Sequence, residues 1–533
     1  MRDLVLPARP SPFRRTGAWT LVGNQLLQSL TTYARTPVAS VVILVLPLIF
    51  LVVNGLVSQQ ATASPGALAR LAASSAVFAT GMAAFVMLAH GMALACERGV
   101  LKRLRGTPLP VWAHLAGRAG GAAVASLVGT SLMVAVAAAA YGLEVPPASI
   151  PAALAVLVLG TACLAVLGFA VAVLLPGSQT VLSVSMGGLV LVGFVSELFA
   201  FGAELPWALG LAGKILPLRA FVMSLSGTLG ADGTGALSSH LVVLAAWTLA
   251  AAVIAVRRFD TEPRSRRSAT GTRGATGAWT YGTSSVPGMI WGQMRHANRS
   301  LWREPVAAFF ALAFPTLFVV ILPLVTGNQV IEGIPFAWYM TTSMPVFGVA
   351  LTAYVTLSVS VSWARDQGLL ERLRGTPLPA AAFLCGRIAS VFWICLLTVG
   401  VVLVAGWVVH GVAVPLHALP GLILFVVAGT ACLAALGMAV SSLVPDADTV
   451  PAVALASFLP LVFVSDVFPL GDALPAPVAA AAWAFPLKHM VHGVREAFSS
   501  GTIGAVHLGV LLSWAAAGTA VALLRFRWVR GAS

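Results

Sequence analysis

The sequence predicts an all-α polytopic membrane protein, with about 12 transmembrane helices arranged as two parallel six-helix repeats. Three observations carry this prediction. The 533 residues are 59% hydrophobic and only 9% charged, with a mean hydropathy of +0.95, where a soluble domain carries about 25% charged residues. Apolar runs of the length a helix needs to cross a bilayer, roughly 20 residues, recur along the whole chain. The chain also repeats itself: LKRLRGTPLP at 101–110 returns as LERLRGTPLP at 370–379, with nine of ten positions identical and an offset of 269.

The repeat extends well beyond the decapeptide. GTACLAVLG at 160–168 matches GTACLAALG at 429–437, and VSELF at 195–199 matches VSDVF at 464–468. Pro176, Pro206 and Pro217 fall on Pro445, Pro475 and Pro486. Upstream the offset is 268, since RTPVAS at 35–40 matches REPVAA at 303–308.

Residues 1–37 form a cytosolic N-terminal segment. Its stretch GAWTLVGNQLLQSLTTYARTP is amphipathic, with Trp and Arg, and reads as a helix lying in the inner interface. No cleavable signal peptide is expected, because the first apolar run starts near Val38. The first module, 38–258, gives spans at 38–57, 75–96, 112–141, 149–175, 180–201 and 237–256. Residues 259–288, rich in Gly, Ser, Thr and Arg, read as a flexible cytosolic linker. The second module, 289–533, opens on its own interfacial helix. Its spans follow at 306–325, 341–363, 381–409, 418–444, 450–469 and 504–524.

Orientation follows from the loop charges. With the N-terminus in the cytosol, segments 1–37, 97–118, 257–305, 364–387 and 525–530 hold 5, 5, 9, 4 and 3 of the 31 Lys and Arg residues. Both termini are then cytosolic. Six spans is an even number, so the two modules share one orientation, as parallel repeats about an axis along the membrane normal. Arg70, Lys214, Arg219, Lys488 and Arg495 stand apart from the bias. The basic residues sit in short loops between spans, which argues against nucleic acid as a partner and leaves the lipid bilayer. The five cysteines lie in or beside apolar spans without CxxC spacing, and read as buried free thiols.

Each decapeptide joins the second and third spans of its module on the cytosolic side. Leu101 and Leu104, like Leu370 and Leu373, are three apart and give one apolar stripe on a short helix. Gly106 and Pro108 stop that helix, as do Gly375 and Pro377. Positive-inside topology needs charge, but not a fixed LRGTPLP order. A docking surface presented twice, to a twofold partner, accounts for the order.

A second pair lies near the outside. Glu197 and Phe199 of VSELF are equivalent to Asp466 and Phe468 of VSDVF, late in the fifth spans. A carboxylate at membrane depth is costly, roughly 2.5–3.5 kcal/mol at the centre. Two readings stand: the carboxylates cap the outer ends in water, or they line an outer gate together with His489 and Arg495 of the following segment. That Pro-rich outer segment, 204–227 and 472–501, is too broken to span and reads as re-entrant or interfacial. DAD at 446–448 looks like an acidic metal pair, but its counterpart at 177–179 is GSQ, and Asp448 reads as a helix cap. His90 and Asn54 lie in spans and read as packed with a local hydrogen bond. Arg118 and Arg387 are equivalent, and either reach toward the inner interface or anchor the loop helix.

This pattern resembles the ABC-2 type transporter permeases. The likeness covers nearly the whole chain, once per module, and is strongest from Ser465 to Glu496 in FPLGDALPAPVAAAAWAFPLKHMVHGVREA. The first module departs there, since ILPLRAFVMSLSG lacks the His and the later Arg. The resemblance implies that residues 97–108 and 366–377 are coupling helices that dock on ATPase subunits. It assigns docking to Glu97, Arg98, Lys102, Arg103, Arg105, Gly106, Thr107 and Pro108. In the second copy it assigns docking to Arg365, Asp366, Glu371, Arg372, Arg374, Gly375, Thr376 and Pro377. It implies a fused dimer, two separate ATPase partners that carry the ATP and Mg, and export of a drug, antibiotic or lipid. None of the three lysines precedes Ser or Thr, so no Walker A loop is present and the chain carries no ATPase site of its own.

Sparse ionisable groups in the spans fit a hydrophobic or amphipathic cargo better than an ion. The alternative, an ion-coupled secondary transporter, usually needs several buried acids or histidines. Here only Glu197, Asp466 and His90 offer themselves. A membrane-embedded enzyme lacks a catalytic cluster. Richness in Ala, Gly, Val and Arg with few Lys points to a bacterial plasma membrane.

Overall fold

A computed structural model describes residues 18–35, 41–57, 64–100, 103, 111–198, 207–230, 237–258, 286–303, 308–326, 330–331, 333–366, 368, 380–447, 449–468 and 476–525. The chain is built from helices, numbered here so that each helix of the first half has its counterpart nine later. An amphipathic helix opens each half: α1 (Ala18–Arg35) and α10 (Val286–Arg303). The first spans are α2 (Val41–Val45 and Leu46–Val57) and α11 (Phe309–Ala313 and Phe314–Thr326). The second are α3 (Pro65–Glu97) and α12 (Phe336–Asp366). The third are α4 (Val111–Tyr141) and α13 (Ala380–His410), and the fourth α5 (Ile150–Leu174) and α14 (Leu419–Leu443). The fifth are α6 (Ser178–Val195) and α15 (Val450–Val464). A pair of short helices follows each: α7 (Trp207–Ile215) with α8 (Pro217–Leu229), and α16 (Ala476–Ala482) with α17 (Pro486–Ser500). The sixth spans are α9 (Leu237–Arg258) and α18 (Ala505–Arg525). A two-residue hairpin, Val330–Ile331 with Ile334–Pro335, turns at Gly333 between α11 and α12.

Among the described residues, eight helices are long and apolar enough to cross a bilayer, and the first and fifth spans of each half are shorter apolar helices. The second spans start earlier than the hydropathy predicts, at Pro65 rather than 75 and at Phe336 rather than 341. In α3 the start is set locally, because the Ser64 hydroxyl accepts from the Ala67 amide at 3.2 Å and Pro65 occupies the first turn. α3 and α12 are the most buried spans of their halves. Both run through a π-helical stretch, Gly81–Met87 and Leu351–Thr356, as do both first spans at Val41–Val45 and Phe309–Ala313.

The GTACLA(V/A)LG repeat now has a physical reason. A Cβ on Gly160 would lie 2.4 Å from the Phe221 ring, and one on Gly429 2.2 Å from Met490 Sδ. These glycines seat α8 on α5 and α17 on α14. The second glycine of the motif meets backbone: a Cβ on Gly168 would lie 2.9 Å from the Phe85 carbonyl, and one on Gly437 2.7 Å from that of Tyr354. Fourth and second spans therefore touch at the π-helical stretch, closer than any side chain permits. The amphipathic helices use the same device, with Gly117 against Gln25 and Gly386 against Gln293.

Two hydrophobic cores form, one per half. They meet where the short spans cross the seam. Phe194 of α6 packs edge-on against Phe318 of α11 at 5.1 Å, and Leu455 of α15 packs against the first core. Cys163, Cys395 and Cys432 are buried as the sequence suggests, but Cys96 is half-buried and Cys385 exposed.

Candidate functional site

The fifth spans end in an unusual way. At the end of α6, Leu198 N–H donates to Gly193 O at 2.9 Å and Glu197 N–H to Phe194 O at 3.3 Å. That is a Schellman cap, whose left-handed residue is normally glycine. Here it is Glu197, with φ 59°, and Asp466 at the end of α15 has φ 55°. A non-glycine residue in this region costs of order 1 kcal/mol or more, and persists where its surroundings over-determine it.

The surroundings are cationic. Glu197 Oε1 and Arg219 Nη1 of α8 are 2.9 Å apart, and Asp466 Oδ2 and Lys488 Nζ of α17 are 2.9 Å apart. The two pairs occupy equivalent positions. Glu197 and Asp466 expose only 12% and 24% of their side chains, so neither stands free in water. Each carboxylate ties the end of a fifth span to the short helix that folds back over its half. Hydropathy sets Arg219 and Lys488 aside as departures from the charge bias, and their pairing with Glu197 and Asp466 is invisible to it.

The second half adds a polar cluster that the first lacks. His492 Nε2 lies 2.9 Å from Asp466 Oδ2, and Arg495 Nη2 donates to Asp466 O and to Ser343 Oγ at 2.7 Å each. The Arg495 guanidinium stacks over Tyr339, 3.8 Å from the ring centroid, and Tyr339 Oη donates to Asp466 O at 2.7 Å. His489 Nδ1 and His507 Nδ1 are 2.8 Å apart, so one donates and the other accepts, and His507 Nε2 reaches Glu496 Oε1 at 3.2 Å. Burial raises the Asp466 carboxyl, but hydrogen bonds from His492 and Lys488 and their charges outweigh it and hold it below the ordinary value. Burial, ahead of its cationic neighbours, pulls His489 down. Phe468 packs at the seam against Phe318 and Phe347. Phe199 lies outside the described residues.

On the opposite face stand the expected docking segments. Arg103 N–H donates to Gly99 O at 3.1 Å, so a helical turn resumes after the left-handed Gly99. Lys102, Arg105, Gly106, Thr107 and Pro108 lie outside the described residues, as do Glu371, Arg372, Arg374, Gly375, Thr376 and Pro377 and most of the linker. Arg98 and Asp366 are exposed. Glu97 is exposed too but bonds back onto the protein, and Arg365 is buried. Glu97 accepts from the Ser178 amide at 2.8 Å and the Ser178 hydroxyl at 2.6 Å, which satisfies the start of α6. His90 Nδ1 approaches Ser178 O at 3.1 Å.

In the second half Arg365 does the converse. It donates to the carbonyls of Ser441, Val444 and Pro445 at 2.9, 2.8 and 3.2 Å, at the end of α14. An anion meets a helix start and a cation meets a helix end, each complementing the dipole. Both tie the C-terminal end of the second span to the joint between the fourth and fifth. Nearby, Arg387 Nη1 bonds Ser360 Oγ, and Arg118 Nη1 packs against the equivalent Gly91. Asp446 accepts from Thr449 Oγ1 at 2.7 Å, within the turn before α15; Asp448 lies outside the described residues.

No curated protein matches the chain. The family model for the ABC-2 type transporter matches it twice, over residues 20–229 and 290–499. The two matches are of equal length, cover most of the chain, and each runs from an amphipathic helix to the end of the short-helix pair. The chain therefore belongs to the ABC-2 type transporter family, as a membrane permease component made of two tandem modules.

Proposed function

We propose that this chain is the membrane subunit of an exporter whose power comes from two separate ATPase subunits. ATP with Mg is bound and hydrolysed on those partners, one docked on each repeated inner segment, residues 97–108 and 366–377. The cargo is hydrophobic or amphipathic, and it leaves a bacterial cell whose cytosol holds both termini. The observation that carries the reading is the pair of internal ties: Glu97 on Ser178 and Arg365 on the end of α14. Each gives a displaced docking segment a mechanical path to the start of the fifth span or the joint before it, and the fifth spans pack across the seam. A movement imposed on both segments would therefore work on the seam between the modules. At the far end, the paired carboxylates Glu197 and Asp466 hold the short helices and act as the outer gate.

The test is assembly. The chain is co-purified with candidate ATPase subunits, and Arg103, Arg105, Arg372 and Arg374 are all changed to Glu. Loss of the complex and of ATPase stimulation is expected. Unchanged assembly would refute the docking assignment. Substitution of Lys102 by Glu should leave assembly intact, because the second copy carries Glu371 at that position.

A further inference from the structure

A chain of hydrogen bonds beside α17 fixes how many protons two histidines hold. His489 Nε2 lies 2.7 Å from Trp483 O, and a carbonyl only accepts, so that nitrogen carries a hydrogen. His507 Nε2 lies 3.2 Å from Glu496 Oε1, and a carboxylate only accepts, so that nitrogen carries one too. The two Nδ1 atoms face each other at 2.8 Å, where a single hydrogen serves both. Four ring nitrogens thus hold three hydrogens and one positive charge. Burial and the neighbouring charges, Lys488 among them, keep His489 neutral, and Glu496 is the counter-ion on His507. With a fourth hydrogen, donor would face donor and both rings would be cations. With only two, lone pair would face lone pair. The bond exists in the intermediate state alone.

That bond joins two elements. His489 lies on α17 and His507 in the first turn of α18, the sixth span. Gly504 makes room for the contact, since a Cβ there would lie 2.6 Å from Glu496 Oε2 and 2.7 Å from the His507 ring. Through Lys488, α17 in turn holds Asp466 at the end of the fifth span. The other charged and titratable groups around the pair are committed elsewhere or stand apart. His492 bonds Asp466, Arg495 bonds Ser343 and the Asp466 carbonyl, and His417 lies against Gly501.

The first module lacks the arrangement. Trp514 Nε1 donates to Ala484 O at 2.9 Å, and Trp247 Nε1 donates to Ile215 O at 2.8 Å in the equivalent place. That match aligns His507 with His240, but Ala220 stands where His489 does. We infer that His489 and His507 form a proton-operated latch between α17 and the sixth span of the second module. One shared hydrogen closes it; a further proton on His489 Nδ1, or loss of the shared one, opens it. The acidity at that end of the molecule then sets whether the ends of the fifth and sixth spans are held together. The inference depends neither on the cargo nor on the ATPase partners.

The full chain in nanodiscs is followed by hydrogen exchange from about pH 5 to about pH 9, with rates corrected for the intrinsic pH dependence of amide exchange. This window lies above the Asp466 carboxyl, which is held below 3.8. Peptides covering 486–510 should be most protected at an intermediate pH. They should lose protection by about 10-fold or more at both ends, the worth of one charge-assisted bond. Peptides covering 217–245, with Ala220 in place of the first histidine, should show no such maximum. His489→Gln offers Trp483 O a fixed donor and His507 a fixed acceptor, so it should abolish the acid-side loss and keep the alkaline one. His492→Gln should keep both. A flat or one-directional profile in the unmodified chain overturns the latch. So does an acid-side loss that survives in His489→Gln, or one that disappears in His492→Gln. The unmodified chain, with its first module as internal control, decides the matter even where a variant fails to fold.

Discussion

Replacing Arg365 by Met should loosen the joint between the fourth and fifth spans of the second module. Arg365 is 7% exposed and makes three bonds to main-chain carbonyls at the end of α14. The Ser441 carbonyl is in a buried bond, and leaving such an acceptor unpaired costs roughly 1–3 kcal/mol. The carbonyls of Val444 and Pro445 are only partly buried, so water replaces the guanidinium there at a loss of about 0.5 kcal/mol each. Loss of the cation at a helix end adds a further few tenths, roughly. The net, about 2–4 kcal/mol, equals a roughly 30- to 700-fold rise in local opening. Hydrogen exchange on peptides covering 440–452 reads this directly. Exchange within about threefold of the unmodified chain in Arg365→Met would refute the joint. In the assembled transporter the same variant should hydrolyse ATP with less cargo moved per turnover, which a purely structural role does not require.

Gly437→Ala should lower the melting midpoint, because its Cβ would sit 2.7 Å from Tyr354 O and 2.9 Å from Ala353 O, an overpacking of about 1–3 kcal/mol. Gly400→Ala, with nothing within 4 Å, should be neutral or slightly stabilising. Lys488→Met should cost about 3 kcal/mol, the low end for breaking a buried pair since Asp466 is 24% exposed, and adding Asp466→Leu should recover most of it in a double-mutant cycle. Acid should unfold the second module in two steps. His489 is depressed below 6.5, so the unfolded chain takes up the proton first and stability falls as pH drops below 6.5. Asp466 is depressed below 3.8, so its contribution is present above 3.8 and is lost as pH falls through its folded value. Melting midpoints against pH should show both steps, with the first absent in His489→Gln.

The helices are legible in the sequence because burial in lipid leaves a strong one-dimensional trace: long apolar runs, copied at a nearly constant offset. What stays hidden depends on direction or on distant partners. The charges of Glu97 and Arg365 read as facing a docked subunit; a charge in a sequence has no direction, and both are spent on bonds within the protein, Arg365 from a buried position. Cys385 shows the same limit in reverse, since an apolar neighbourhood does not say which side of a helix meets the core. The ion pairs are nearly within reach. Glu197 to Arg219 and Asp466 to Lys488 have the same spacing in both halves, and each carboxylate sits where a helix would end on glycine. Taking Arg219 and Lys488 as exceptions to a loop-charge rule conceals that coincidence. The glycines of GTACLA(V/A)LG are visible as a repeat, but their reason lies on other helices, in Phe221, Met490 and the carbonyls of the second spans.

The two modules agree and differ in a way that separates scaffold from specialisation. Both keep the glycine seats, the left-handed carboxylate and its cation, and the π-helical second span. Those features close each module's own packing, so each copy needs them. The inner ties keep their place but change their chemistry, an anion on a helix start in one module and a cation on a helix end in the other. The cluster of His489, His492, His507 and Arg495 exists once. A homodimer could not hold such a cluster on one side only, since every residue would recur across the axis. Joining two modules in one chain removes that constraint. One module can then carry a charged cluster that the other lacks, as Ser226 stands in the first module where Arg495 stands in the second.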